Sequence, residues 1–178
     1  MKSILAVFGV LILGIHAHSY EFTTGRVFLR GVVGPTVNVF RCTEPDEESP
    51  GAALMLGVEV DYVVTKPWSL IGGFRPTFSP GFIDLGLSAG AKFRWHDLGT
   101  PVIPYVSLEM TTAWLLPVSP SRTHFNWGLR PSVGFDYFLM RDIVVGGQIA
   151  INPSWLMTAP LSSFESSIDI MLSVMWSV

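Results

Sequence analysis

The stretch IDLGLSAGAKFRW, residues 83 to 95, alternates without a fault. Ile83, Leu85, Leu87, Ala89, Ala91, Phe93 and Trp95 are apolar, and Asp84, Gly86, Ser88, Gly90, Lys92 and Arg94 stand between them. Successive side chains of a β-strand point to opposite faces, so the pattern predicts a strand with one apolar and one polar face. The fold turns on which face meets water. An apolar face turned inward makes a soluble barrel around a greasy ligand; turned outward, it makes a barrel that spans a membrane.

The same alternation predicts eight strands along the chain. The first, about 27–40, sets Val27, Leu29, Val33, Val37 and Val39 against Arg26, Arg30 and Asn38. The second, 53–64, sets Leu54, Leu56, Val58, Val60 and Tyr62 against Gly57, Glu59 and Asp61. The third, 69–78, sets Leu70, Phe74 and Phe78 against Ser69, Gly73, Arg75 and Thr77, and the quoted stretch is the fourth. The fifth, 102–114, has Val106, Leu108, Met110 and Trp114 opposite Tyr105, Ser107, Glu109 and Thr111. The sixth, 127–139, is as clean as the fourth, with Arg130 and Asp136 on its polar face. The seventh, 143–151, sets Ile143, Val145, Ile149 and Ile151 against Gly146, Gln148 and Ala150. The eighth, 167–178, sets Ile168, Ile170, Leu172, Val174, Trp176 and Val178 against Asp169, Ser173 and Ser177.

The connections alternate as well. TKP, HDLGT and MRD are short, whereas 41–52, 115–126 and 152–166 are longer; only SPG, after the third strand, is short on the long side. Segments of roughly ten alternating residues with short turns at one end and long loops at the other form the pattern of a transmembrane β-barrel, the short turns lying in the periplasm. The expected fold is therefore all-β: an eight-stranded antiparallel up-and-down transmembrane β-barrel, with both termini in the periplasm.

Composition decides against the soluble alternative. The polar face mixes charges with Gly57, Gly73, Gly86, Gly90, Gly128, Gly134 and Gly146, which suits a crowded interior. The other face carries more large aliphatics than an eight-stranded interior could hold. Aromatics sort by strand end. Trp68, Phe93, Trp95, Tyr137 and Trp176 fall near the periplasmic ends; Phe40, Phe78, Phe82, Trp114, Trp127 and Trp155 fall near the outer ends. Two such girdles mark the two membrane–water interfaces. Pro35, Pro76, Pro104 and Pro131 interrupt this regularity, and each removes a ladder donor, so bulges or shorter strands are expected there.

With the apolar face on lipid, Arg30, Arg75, Lys92, Arg94 and Arg130 point inward together with Glu59, Asp61, Asp84, Glu109, Asp136 and Asp169. Charges away from water must be paired or hydrated. The near balance of signs predicts a lumen plugged by salt bridges, with Glu59 directly opposite Arg75 and Glu109 diagonal to Arg130.

The chain has 178 residues, of which 14% are charged, and a net charge of −3. That charge content is low for a soluble domain, and no basic stripe suggests nucleic acid as a partner. MKSILAVFGVLILGIHA, residues 1–17, has a positive start, an apolar run and a small residue at its end, the layout of a secretory signal peptide. Its apolar run is short of the roughly 20 residues a spanning helix needs. Residues 1–17 are thus expected to be a signal peptide and 18–178 the barrel. The single cysteine, Cys42, allows no internal disulfide.

In these features the chain resembles the small eight-stranded outer-membrane barrels, the family of the OmpA membrane domain and OmpX-type proteins. The ending IDIMLSVMWSV is similar to the C-terminal signal read by the barrel-assembly machinery, with Trp176 two places before the last residue, Val178. With no sequence after the eighth strand, the cell-wall-binding domain of OmpA is not expected. The resemblance implies a bacterial outer-membrane protein of the Gram-negative envelope. Its partners would be outer-membrane lipid and lipopolysaccharide, the assembly machinery, and a surface ligand or envelope protein. It also implies a role as a structural or surface-interaction protein, with a narrow channel or a lipid-modifying enzyme as the alternatives.

Chemistry is sparse. The material for an enzyme is Ser119, Ser121, Arg122 and His124 in one outer loop, and SRTH is no recognised signature of nucleophile, base and orienter. GLSAGAK lacks the spacing of a phosphate loop, and no His, Cys or carboxylate cluster has metal-ligand spacing. The acidic EPDEE, residues 44–48, is a candidate for contacts with divalent cations or lipopolysaccharide. No cofactor is expected.

Overall fold

The computed structural model describes residues 22–42, 51–80, 82–96, 100–117, 124–157 and 162–178. Eight strands follow one another: β1 (Val27–Cys42), β2 (Ala52–Val63), β3 (Trp68–Phe78), β4 (Phe82–Arg94), β5 (Val102–Pro117), β6 (His124–Met140), β7 (Ile143–Met157) and β8 (Ser162–Ser177). Each pairs antiparallel with its sequence neighbours, and β8 returns to β1 to close the barrel. Closure leaves no unpaired strand edge, which is a condition for β-structure in lipid. Even the shortest strand, β3 with 11 residues, is long enough to cross a bilayer at the tilt of a barrel.

The faces are inverted relative to a soluble protein. Leu172 is 68% exposed and Val133 56%, while Arg30 is 0% and Glu109 1%. Large aliphatics cover the outside of every strand and charges fill the inside, so the apolar side of residues 83–95 looks outward. The fold is an eight-stranded antiparallel transmembrane barrel.

Strand ends differ from the sequence expectation on one side. At the turn end, where β1 begins and β8 finishes, boundaries agree within a residue or so. At the opposite, loop end, β6 starts at His124, β7 runs to Met157 and β8 starts at Ser162. The expected long connection 152–166 is therefore mostly a continued hairpin, with Trp155 opposite Phe164 and Met157 opposite Ser162. Backbone pairing and the packing of Trp155 on Trp127 and Phe164 hold it.

The prolines neither shorten nor bulge the strands. Instead the ladder lacks rungs beside them and resumes in unchanged register. Between β1 and β8, pairing passes from Val33↔Leu172 to Thr36↔Asp169 around Pro35. Between β2 and β3 it skips Pro76, and between β6 and β7 it skips Pro131 together with Pro153. Pro104 sits where β4 ends, its carbonyl accepting from Trp95 N. A missing N–H removes one rung without changing the pleat. The register shifts that do occur lie at Asn38/Phe40 and Phe138/Met140, near strand ends.

The charged lumen as candidate functional site

An eight-stranded barrel has an interior just wide enough for its own side chains. The pleat directs the charges of the inner faces there, even-numbered on β1, β4 and β6 and odd-numbered on β2, β3, β5 and β8. Arg30, Glu59, Asp61, Arg75, Lys92, Arg94, Glu109, Arg130, Asp136 and Asp169 are all buried.

They form one continuous chain in which cation and anion alternate. At the turn end, Lys92 Nζ donates to Asp61 Oδ2 at 2.8 Å, and Arg94 donates to the same oxygen. Arg94 Nε reaches Asp136 Oδ2 at 3.1 Å, and Asp136 Oδ1 accepts from Arg30 Nη2 at 2.6 Å. Arg30 Nε lies 3.9 Å from Glu59 Oε2, which links this group to the next. Arg75 then bridges two carboxylates, donating from Nη2 to Glu59 Oε1 at 2.7 Å and to Glu109 Oε2 at 2.5 Å. Arg130 continues to Glu109 Oε1 at 3.0 Å and to Asp169 Oδ2 at 2.9 Å. Thr36 closes the chain by donating to Asp169 Oδ1.

Neutral groups fill the gaps. Tyr105 hydroxyl accepts from Arg30 Nη1 at 3.0 Å, and its ring lies 4.5 Å from Lys92 Nζ. Ser69 accepts from Arg94, and Ser88 from Arg75. Ser107, Ser132 and Gln148 form their own polar bridge across β5, β6 and β7. Buried ion pairs are weak evidence of stability, because desolvation offsets much of their attraction. Here the alternative is worse: a cation on the lipid face costs about 2–4 kcal/mol at the bilayer midplane.

Two expected contacts differ in detail. Glu59 stands opposite Gly73, not Arg75; the Arg75 stem reaches two residues along the barrel to find it. Glu109 and Arg130 are directly opposite rather than diagonal. Asp84 stands outside the chain of pairs. It lines a cavity of about 70 Å³ at the loop end with Asn126, Asn152, Glu165 and Asp169, and its Oδ1 has no hydrogen-bond partner among the described residues.

The lumen also holds apolar residues that alternation does not reveal. Val32, Met55 and Met171 pack together in one cluster. Phe22, Phe28, Val63, Ile103, Phe138, Val144 and Met175 form another at the turn end. A lumen position carries no demand for polarity, so these residues give no signal in sequence.

The outer aromatics form two sets. Trp68, Phe93 and Trp95 pack edge to face at 5.0 and 5.1 Å near the turn end, where Tyr137 and Trp176 also lie. Toward the loop end, Trp114 meets Phe125 at 5.7 Å, Trp127 stacks on Trp155 at 4.9 Å, and Trp155 meets Phe164 at 5.4 Å. Phe82 departs from this set. It lines the lumen cavity, because its position in β4 has the parity of Asp84.

Of the residues weighed for enzymatic chemistry, Ser119, Ser121 and Arg122 lie outside the described residues, as do residues 1–17 and 44–48. His124 opens β6 opposite Leu115. Among the described residues, no three His, Cys, Asp or Glu side chains are placed to hold a metal.

Comparison with known proteins agrees on architecture. No family model matches the chain and no curated protein matches it in sequence. Solved structures do match in fold. The Neisserial surface protein NspA superposes with a TM-score of 0.65 at 12% identity, covering 88% of this chain and 99% of that one. OprG of Pseudomonas aeruginosa gives 0.58 at 11%, covering 89% and 98%. Ail, the attachment invasion locus protein of Yersinia pestis, gives 0.51 at 14%, covering 86% and 100%. The fold is that of the small eight-stranded outer-membrane barrels.

Proposed function

We propose that this chain is a bacterial outer-membrane protein with a closed lumen, serving the envelope as a structural or surface-interaction protein. The alternating chain of ten paired charges carries this reading. A lumen spanned from Lys92 to Asp169 by direct ion pairs leaves its charges engaged with one another rather than with permeating ions. The short turns and both termini face the periplasm and the longer loops face outward, as in barrels of this architecture. The aromatic girdles rest at the two interfaces with lipid and lipopolysaccharide, and the assembly machinery inserts the chain. The outer loops would carry any contact with a surface ligand or another envelope protein. Two fold neighbours support a surface role by their descriptions, one being a surface protein and the other an attachment invasion locus protein.

Planar-bilayer recording tests the closed lumen. Refolded protein should give no resolved single-channel openings. Well-resolved openings, abolished by altering Glu59 or Arg75, would make it a channel. Comparison of lipid A by mass spectrometry from cells with and without the protein should show no change; a change lost in His124→Ala would make it a lipid-modifying enzyme.

A further inference from the structure

At the turn end of the lumen one buried residue belongs to no strand. Phe22 is 1% exposed, whereas Thr23, Thr24 and Gly25 beside it are exposed. The chain reverses at Gly25, whose φ of +81° is a left-handed conformation that a side chain disfavours. Gly25 N donates to Val63 O at 2.8 Å, Arg26 N to Thr23 O at 3.2 Å, and Val63 N to Arg26 O at 2.9 Å. This tight turn aims the Phe22 ring back into the barrel.

The ring enters a socket made for it. Phe28, Val63, Ile103, Phe138, Val144 and Met175 each come from a different strand, and together with Phe22 they form a single apolar layer. Phe22 meets Phe28 at 5.1 Å and Phe138 at 5.0 Å, and His96 at 5.7 Å. Its inner face covers Arg94, whose guanidinium carbon lies 3.8 Å from the ring centroid. On the rim, Arg26 joins Asp142 and Ser177, tying the segment to the β6–β7 turn and to β8.

We propose that residues 22–26 are a stopper: Phe22 seals the turn-end mouth of the lumen and keeps water from Arg94 and the charge chain behind it. Apart from the Phe22 ring itself, the segment is held by three backbone hydrogen bonds, one rim ion pair and the Arg26–Ser177 hydrogen bond. Such contacts open locally at far lower cost than a barrel strand. The stopper thus sets whether the lumen communicates with the solution on that side, and it stands on the barrel geometry alone, whatever the outer loops bind.

Accessibility of a buried thiol tests this. Val144→Cys, in a Cys42→Ser background, places a thiol inside the socket. The probe is a positively charged, membrane-impermeant methanethiosulfonate, with folding checked by heat-modifiable gel mobility. Phe22→Ala should raise the modification rate by about tenfold or more, the scale of a local opening made easy, and Phe22→Leu should restore protection. Gly25→Val keeps the ring but strains the turn, and should also raise the rate; it decides the matter if Phe22→Ala fails to fold. Equal rates with and without these changes would overturn the stopper.

Discussion

Gly57 lies against the stem of Arg75, so that a Cβ added to it would stand 2.9 Å from Arg75 Cγ and 2.7 Å from Val32 Cγ2. The bare backbone of β2 is what lets the guanidinium reach along the barrel to both Glu59 and Glu109. Gly57→Val should therefore destabilise the barrel by about 1–3 kcal/mol through overpacking, read from urea unfolding in lipid vesicles. Gly31→Ala is the control: its outward Cβ would meet nothing nearer than 3.9 Å, so its effect should stay within about 0.5 kcal/mol. Equal effects would mean that Gly57 makes no room for Arg75.

Members of the charge chain are not equivalent. Asp61 serves Lys92 and Arg94 together, so Asp61→Asn leaves buried cations short of a partner and should cost about 3–5 kcal/mol. Lys92→Met leaves Asp61 still held by Arg94 and should cost clearly less in the same unfolding measurement. The reverse order would mean that the cations are hydrated rather than paired.

Register is testable by crosslinking. Ser107 and Ser132 stand directly opposite on β5 and β6, their hydroxyl oxygens 2.5 Å apart. Cysteines at both positions, with Cys42→Ser, should form a disulfide on mild oxidation, since directly opposed Cβ atoms approach the distance a disulfide needs. Crosslinking of residue 107 to residue 130 instead would place the strands two residues out of step.

A charge on the outer face separates the two kinds of barrel. Leu172→Arg should lower stability by about 2–4 kcal/mol if the site lies near the bilayer midplane. In a soluble barrel the same exposed position would tolerate it within about 0.5 kcal/mol. Unfolding in vesicles measures the difference.

What could be read from the sequence followed the demands of lipid. Leu85, Leu87 and Ala89 had to be apolar at every second place, and so β4 was legible with the face it turns outward. Arg30, Glu59 and Arg130 were legible as lumen residues by the same parity. Phe28, Ile103, Phe138 and Met175 were not, because an inward position accepts any side chain that fits. Phe22 was hidden for another reason: it precedes the first alternating segment, and only the turn at Gly25 carries it inside. The pairing of Glu59 with Arg75 was right in partners and wrong in rung, since a long side chain can satisfy a charge two residues away.

The apolar face of the barrel meets lipid. All six tryptophans, Trp68, Trp95, Trp114, Trp127, Trp155 and Trp176, occupy outward positions near the two ends of the strands. The most direct measurement is tryptophan fluorescence of the refolded barrel in vesicles of brominated phospholipid, with bromines placed shallow or deep in the acyl chains. Strong quenching is expected from both, and more from the shallow lipid, as aromatic residues at the interfaces require. Emission untouched by either lipid would return the apolar face to the inside of a soluble barrel.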